Sequence, residues 1–227
     1  MSPSQHIIPV RIGFSWAYIV RDEGTILVDT GFPGSEGILL SALREHGVLP
    51  GDLRLILITH GHADHAGSGA ALRQATGALV AAGHHEVGRL RTGISGKLKA
   101  TSLAGRIFGL FCGRKRLSRY PPLEPDILID SEYDLLVHGV HGCVIPTPGH
   151  TEGSISVLLE SGDAIVGDLI SAALLFGSPA VPYFADDLYA WSGSIRSVLE
   201  RSSGRIYTGH GGPFDVETIN ARLPFKK

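Results

Sequence analysis

Apolar positions along the chain change period several times, and each change marks an element. Residues 6–12, 16–21 and 25–29 are rich in β-branched and aromatic side chains and are divided by turn signals at Gly13 and Gly24, which predicts three short strands in a meander. Over 34–46, Ile38, Leu39, Ala42 and Leu43 recur at helical spacing, the mark of a helix with one buried face. The run 54–59, with Ile56 and Ile58, is short and largely apolar, as a buried strand is. Residues 62–76 then predict a helix, 78–82 a strand and 84–91 a short helix.

Strand patterns return at 127–130, 133–137, 140–146, 154–160 and 164–167, divided by Gly, His or Asp turns at spacings that suit antiparallel hairpins. A helix at 187–201, a strand at 205–208 and a helix at 216–223 complete the chain. Strands in both halves, with helices between and after them, predict an α/β fold of four layers: two sheets face to face, covered outside by helices. No Pro/Gly/Ser linker or repeat interrupts this order, so 1–227 is expected to form one domain.

Composition narrows the classes. With 227 residues, 43% of them hydrophobic, the chain can bury a core. A net charge of −2 gives no global case for nucleic acid or membrane binding. Residues 1–10 mix two prolines and four polar residues with scattered apolar ones where a secretory signal needs a basic start and an apolar run, and 165–176 is broken by Gly167, Asp168 and Ser171. A cytoplasmic location is the expectation. Cys112 and Cys143 are read as reduced thiols.

Candidate chemistry begins where the 54–59 strand ends. His60-Gly61-His62-Ala63-Asp64-His65 places three imidazoles and a carboxylate within six residues, donors that zinc, iron and manganese all accept. His150, Asp168 and His210 each follow another predicted strand, so separate segments deliver further ligand-type residues to strand ends. Gly-x-Ser-x-Gly does not occur, which removes the main signal of a serine hydrolase.

From Val28-Asp29-Thr30-Gly31 through the His60 motif, His150, Asp168 and His210, the sequence resembles the metallo-β-lactamase superfamily, most of all its glyoxalase II and lactonase-like branches. That resemblance implies an αββα sandwich of two mixed sheets and two divalent metal ions, zinc foremost, with iron or manganese as alternatives. His60, His62 and His150 would hold the first ion, Asp64, His65 and His210 the second, and Asp168 would bridge them. Asp29 would orient a ligand histidine from behind. The implied activity is hydrolysis of a carboxylic ester, lactone or thioester by a hydroxide bridging the two ions, with Asp64 as catalytic proton carrier.

Substrate is less legible. Members that act on β-lactams commonly carry cysteine where this chain has Asp168, which points away from them. Lactonase-like members often place a tyrosine soon after the bridging Asp, where this chain has Ile170 and Ser171 and no tyrosine before Tyr183. Glyoxalase II members hold glutathione with a basic C-terminal extension, whereas Lys227 lies seventeen residues past His210. Both specific activities therefore stay open. The alternatives are a phosphodiesterase or small nuclease, weak β-lactamase-type amide hydrolysis, or a non-catalytic binding protein.

The segment 88–125 is the most individual. It holds Arg89, Arg91, Lys97, Lys99, Arg106, Arg114, Lys115, Arg116 and Arg119, with no acid before Glu124, while Leu103, Ile107, Leu110 and Phe111 recur at helical spacing. A basic amphipathic helix could pack its apolar side on the domain, form a lid over an acyl pocket, cradle an anionic substrate, or touch a membrane surface through 97–119. The lid is the preferred reading, with a small-molecule substrate carrying an acyl or anionic part and no nucleic-acid partner. His84 and His85 could approach the site; His6, His46, His138 and His141 read as solvent or turn residues. Tyr183 and Phe184 could line the pocket.

Overall fold

The computed structural model of the chain describes residues 5–112, 118–173 and 177–223. Arg114, Lys115 and Arg116, the side chains of Phe111 and Cys112, and residues 1–4 and 174–176 lie outside the described residues.

In the first half the elements are β1 (His6–Ile12), β2 (Ser15–Arg21), β3 (Thr25–Val28), α1 (Glu36–Glu45), β4 (Leu53–Ile58), α2 (Ala63–Ala66), α3 (Gly69–Thr76), β5 (Leu79–Gly83), α4 (Val87–Thr92), α5 (Leu103–Cys112) and β6 (Ile127–Ile129). The second half adds β7 (Tyr133–Asp134), β8 (Gly142–Pro146), β9 (Ile155–Leu159), β10 (Ala164–Ile165), β11 (Ser171–Ala172), β12 (Pro179–Ala180), α6 (Leu188–Arg201), β13 (Arg205–Tyr207), β14 (Phe214–Asp215) and α7 (Val216–Arg222). One sheet runs β1-β2-β3-β4-β5-β6, antiparallel through β3 and parallel thereafter. The other runs β14-β13-β10-β9-β8-β7, with β10 and β13 parallel and the remaining pairs antiparallel. Both sheets are mixed.

Alternation along the strands makes three apolar layers. Leu55 and Leu57 of β4 point between the sheets, with Ile26 and Val28 of β3 and Val157 and Leu159 of β9. Their neighbours Ile56 and Ile58 face outward onto Leu39 and Leu43 of α1 and Leu72 of α3. On the far side Leu158, Ala164 and Ile206 pack with Trp191 and Ile195 of α6 and Ile219 of α7. The four-layer α/β sandwich follows from this double burial. No helix among the described residues is long and apolar enough to cross a membrane.

Three local expectations change. The helix expected over 62–76 is two, because Thr30 takes the His65 carbonyl with both its N–H and its hydroxyl at 2.7 Å, and Ser68 Oγ is tied to Phe32 O at 2.7 Å. The strand expected over 133–137 stops after Asp134, whose side chain accepts from Leu136 N at 2.8 Å and turns the chain into a 3-10 helix over Leu135–His138. His138, read as a solvent or turn residue, is the latter: it ends that turn buried and bonded to the Tyr133 hydroxyl at 2.9 Å. β11, β12 and β14 are two-residue strands, too short for any periodicity to announce.

At the end of β3 remote from Asp29, the sheets are clasped by Asp22. Its buried carboxylate accepts from Gln5 Nε2 at 2.8 Å, His141 N at 2.9 Å and His141 Nδ1 at 3.0 Å. Burial would push this carboxyl up, but the bonds from His141 and Gln5 outweigh it and hold the group below its ordinary value. The same bond raises His141. A depressed acid contributes stability that is lost as pH falls through its folded value, and a raised histidine stability that is lost as pH rises through its own. The urea-midpoint difference between the protein and Asp22→Asn is therefore expected to be largest in mildly acidic solution and to shrink on both sides. A difference independent of pH would exclude the clasp as the cause.

Candidate metal centre

The strand directions bring the candidate residues together. β3 and β4 are parallel, so Asp29 and the His60 motif leave the same edge of their sheet. In the other sheet β10 and β13 are parallel and deliver Asp168 and His210 to one edge, and the β8–β9 connection carries His150 to that edge because those strands are antiparallel to each other. Tyr18 fixes the last of these segments by donating its hydroxyl to Thr208 O at 2.6 Å, and Gly209 N bonds Gly167 O at 2.7 Å. A side chain at Gly209 would collide with the Asp168 carboxylate and reach 2.5 Å from His65 Cε1, so only glycine fits there.

Three nitrogens converge first. His62 Nδ1 lies 3.0 Å from His60 Nε2 and 3.1 Å from His150 Nε2. A second group joins Asp64, His65 and His210, with His210 Nε2 3.3 Å and His65 Nε2 3.8 Å from Asp64 Oδ2. Asp168 reaches both, its Oδ1 standing 3.3 Å from His65 Nε2 and its Oδ2 3.6 Å from His150 Nε2 and 3.3 Å from His210 Nε2. Each group could hold one cation, since its donor atoms all lie within 4.8 Å of one another.

Donor chemistry fits metal ions. Four imidazoles face an oxygen with the outer nitrogen: His60 Nδ1 is 3.1 Å from Thr59 Oγ1, His65 Nδ1 2.7 Å from Asp29 Oδ2, His150 Nδ1 2.8 Å from Phe184 O, and His210 Nδ1 2.9 Å from Phe14 O. Donation outward from Nδ1 leaves the Nε2 lone pair pointing into the cluster. His65 Nε2 and Asp168 Oδ1 are buried with no hydrogen-bond partner, the condition of atoms shaped to coordinate.

The two halves differ in charge. Burial, and then the neighbouring imidazoles, hold His60 well below the ordinary histidine value, and burial and His150 bring His62 down to about 3, so both are neutral donors. Around His65 and His210 burial also acts downward, but the carboxylates of Asp168 and Asp64, joined at His65 by Asp29, outweigh it and push both up. Asp64 and Asp168 are held low by those same histidines against the upward pull of burial. The second half is therefore built for positive charge, whether proton or metal cation.

Asp29 does more than orient one histidine. Its carboxylate accepts from His65 Nδ1 and from the Thr59 N–H at 2.8 Å, and it takes the Thr59 hydroxyl at 2.8 and 3.0 Å, so the Thr59 oxygen is free to accept from His60. It does so from a left-handed backbone, φ 63°, which Asp tolerates better than most residues. Sequence reading did not single out Thr59, although it adjoins the motif. Nor did it find Glu86, fully buried, whose carboxylate accepts from Gly61 N at 2.7 Å, Gly153 N at 3.1 Å and Arg89 Nη1 at 2.7 Å. Glu86 ties the His60 loop to the His150 loop, and Tyr120 adds a bond from its hydroxyl to Gly61 O at 2.9 Å. The pairing with Arg89 is local, but nothing in the sequence signals that Glu86 ties the two loops, because the backbone groups it joins lie 25 and 67 residues away.

His84 and His85 stand apart, beside Asp130 and Glu152 at 3.8 and 3.7 Å, and line a separate cavity of about 290 Å³. The metal-ligand candidates His62, Asp64, His150, Asp168 and His210 open onto a cavity of about 1130 Å³. Phe14, Phe32, Leu98, Tyr183 and Phe184 supply apolar wall there, and Lys97 and Arg106 supply positive charge.

Two substitutions test the supports. Asp29→Asn keeps the backbone but turns one acceptor into a donor, and metal affinity, measured by competition with a chromophoric chelator, is expected to fall about 10- to 100-fold. Glu86→Ala leaves buried donors unmatched, and urea unfolding is expected to show a loss of about 3–5 kcal/mol.

The chain is similar to several known proteins. Over 199 residues the chain is 30% identical to the probable metallo-hydrolase MJ0888 of Methanocaldococcus jannaschii, covering 86% of each. A hydroxyacylglutathione hydrolase of Albidiferax ferrireducens is 31% identical over 174 residues, 73% of this chain and 53% of that one. The solved structure of the BLEG-1 B3 metallo-beta-lactamase has the same fold, with a TM-score of 0.74 at 21% identity over 98% of this chain and 99% of that one. The family model of the metallo-beta-lactamase superfamily matches residues 10–210, a span that contains Asp29 and all seven clustered His and Asp residues. With that match and a relative aligned over most of both chains, this protein belongs to the metallo-beta-lactamase superfamily.

Proposed function

We propose that this metallo-hydrolase cleaves an acyl ester-type bond, a thioester before a lactone or simple ester, in a small molecule with an apolar acyl part and an anionic group. The observation that carries the reading is Asp168, whose two oxygens face two separate groups of donors at the floor of a large cavity with apolar walls. Divalent ions, zinc foremost, would be held by His60, His62 and His150 and by Asp64, His65 and His210 with Asp168 between them, and would supply hydroxide near neutral pH and polarise the carbonyl under attack.

The protein's own residues do the remainder. His60, His65, His150 and His210 are locked in the ligating tautomer by the oxygens behind them, so little reorganisation is needed during reaction. Asp64 lines the cavity and is held ionised by His65 and His210, so its carboxylate is available to take a proton as the nucleophile adds and to return it to the leaving group. A thiolate leaves with little such help, because a thiol is far more acidic than an alcohol. Lys97 and Arg106 on the cavity wall suit an anionic portion of the substrate. The Albidiferax relative, by its name a hydrolase of a glutathione thioester, supports the order of preference.

Metal analysis and a panel of thioesters, lactones, esters, β-lactams and phosphodiesters test the reading. Turnover should favour the first three classes, vanish on chelation and return with zinc, and Asp64→Ala should lower kcat by about 100-fold or more. Less than one metal ion per chain after supplementation, or faster turnover of β-lactams or phosphodiesters, would overturn it.

A further inference from the structure

Helix α5 presents its apolar side to solvent. Leu103, Ile107 and Leu110, at positions i, i+4 and i+7 of one face, are 72%, 55% and 78% exposed. This excludes, for these three residues, the alternative in which the apolar stripe packs on the domain, and glycine is the reason. A side chain at Gly105 would collide with the Tyr183 carbonyl, and one at Gly109 would touch the Phe184 ring at 3.4 Å, so the helix sits on the 183–184 loop by its smallest residues and turns its large ones outward.

Charge around the helix is equally one-sided. Residues 88–123 hold nine of the chain's 20 basic residues and none of its 22 acidic ones, which leaves eleven basic residues against all 22 acids elsewhere. Arg89, Arg91 and Lys99 are matched to Glu86, Glu124 and Asp186. Lys97, Arg106 and Arg119 form no ion pair among the described residues. Among the described residues, Lys97, Arg106 and Arg119 thus leave unmatched positive charge in the segment that exposes these three aliphatic side chains.

We infer that the α5 face docks on an anionic lipid bilayer. An amphipathic helix lying in the interface buries its apolar side among acyl chains and sets its cations against acidic headgroups, and α5 with Lys97, Arg106 and Arg119 offers both. A second copy paired through the same face would set those cations against themselves. Nucleic acid would use the cations and leave Leu103, Ile107 and Leu110 exposed. Arg106 and Leu110 also line the large cavity, so docking brings the cavity to the lipid surface. On the hydrolytic reading proposed above, it would give access to membrane-partitioned acyl substrates.

Co-sedimentation of the full chain with vesicles tests the docking without any turnover, so its failure leaves the hydrolytic reading standing. Vesicles of phosphatidylcholine with phosphatidylglycerol should carry the protein down, vesicles of phosphatidylcholine alone should not, and raised salt should release it. Leu103→Ser/Ile107→Ser changes two exposed residues that do not line the cavity. It should keep the circular dichroism spectrum and the activity on a water-soluble ester while binding anionic vesicles at least about tenfold more weakly. Protein that stays in solution with anionic vesicles, or a double variant that binds them as tightly, would overturn the inference. So would a dimer in analytical ultracentrifugation that the double variant dissociates, which would assign the face to a second copy.

Discussion

Five imidazoles and two carboxylates converge their nitrogens and oxygens at one end of the sandwich, most of them buried and five of them at the wall of the large cavity. Such a cluster is costly to bury unless every outward atom has a partner and the inward atoms share a cation. The outward accounts close through Asp29, Thr59, Phe14 O and Phe184 O. The inward account stays open at His65 Nε2 and Asp168 Oδ1, which makes metal the natural partner of this arrangement.

Precision in the cluster depends on residues that bear no chemistry of their own. Glu86 holds two loops with one carboxylate, and its partner Arg89 extends the network to Asp186, whose N–H bonds the His150 carbonyl at 3.0 Å. Trp191 donates to Leu169 O at 2.7 Å and steadies the turn that carries Asp168. These bonds join segments from both sheets, so the centre and the closed sandwich stabilise each other.

Segregation of charge gives the molecule a direction. A candidate metal centre that includes Asp64 and Asp168 lies at one wall of the large cavity, and Lys97 and Arg106, beside a helix with an exposed apolar side, form part of another. Gly105 and Gly109 produce that polarity. The helix is amphipathic in sequence, but contact through its glycines decides that the apolar side looks away from the core.

The sequence by itself determined the α/β pattern, the layers and the His60 to His65 motif with its distant companions, because apolar periodicity and ligand chemistry are local properties of the chain. It showed where strands end, and therefore which residues leave them. Only the tertiary structure decided which ends meet. The break between α2 and α3 comes from Thr30 capturing the His65 carbonyl, the tautomers of His65, His150 and His210 come from oxygens far along the chain, and Glu86 ties loops through backbone groups that no spacing reveals. His84 and His85 carry as much ligand chemistry as His60 and His62, yet they face another cavity. Composition can propose a donor, but position in three dimensions makes it a ligand, since convergence of lone pairs on one point is set by contacts between segments remote in sequence.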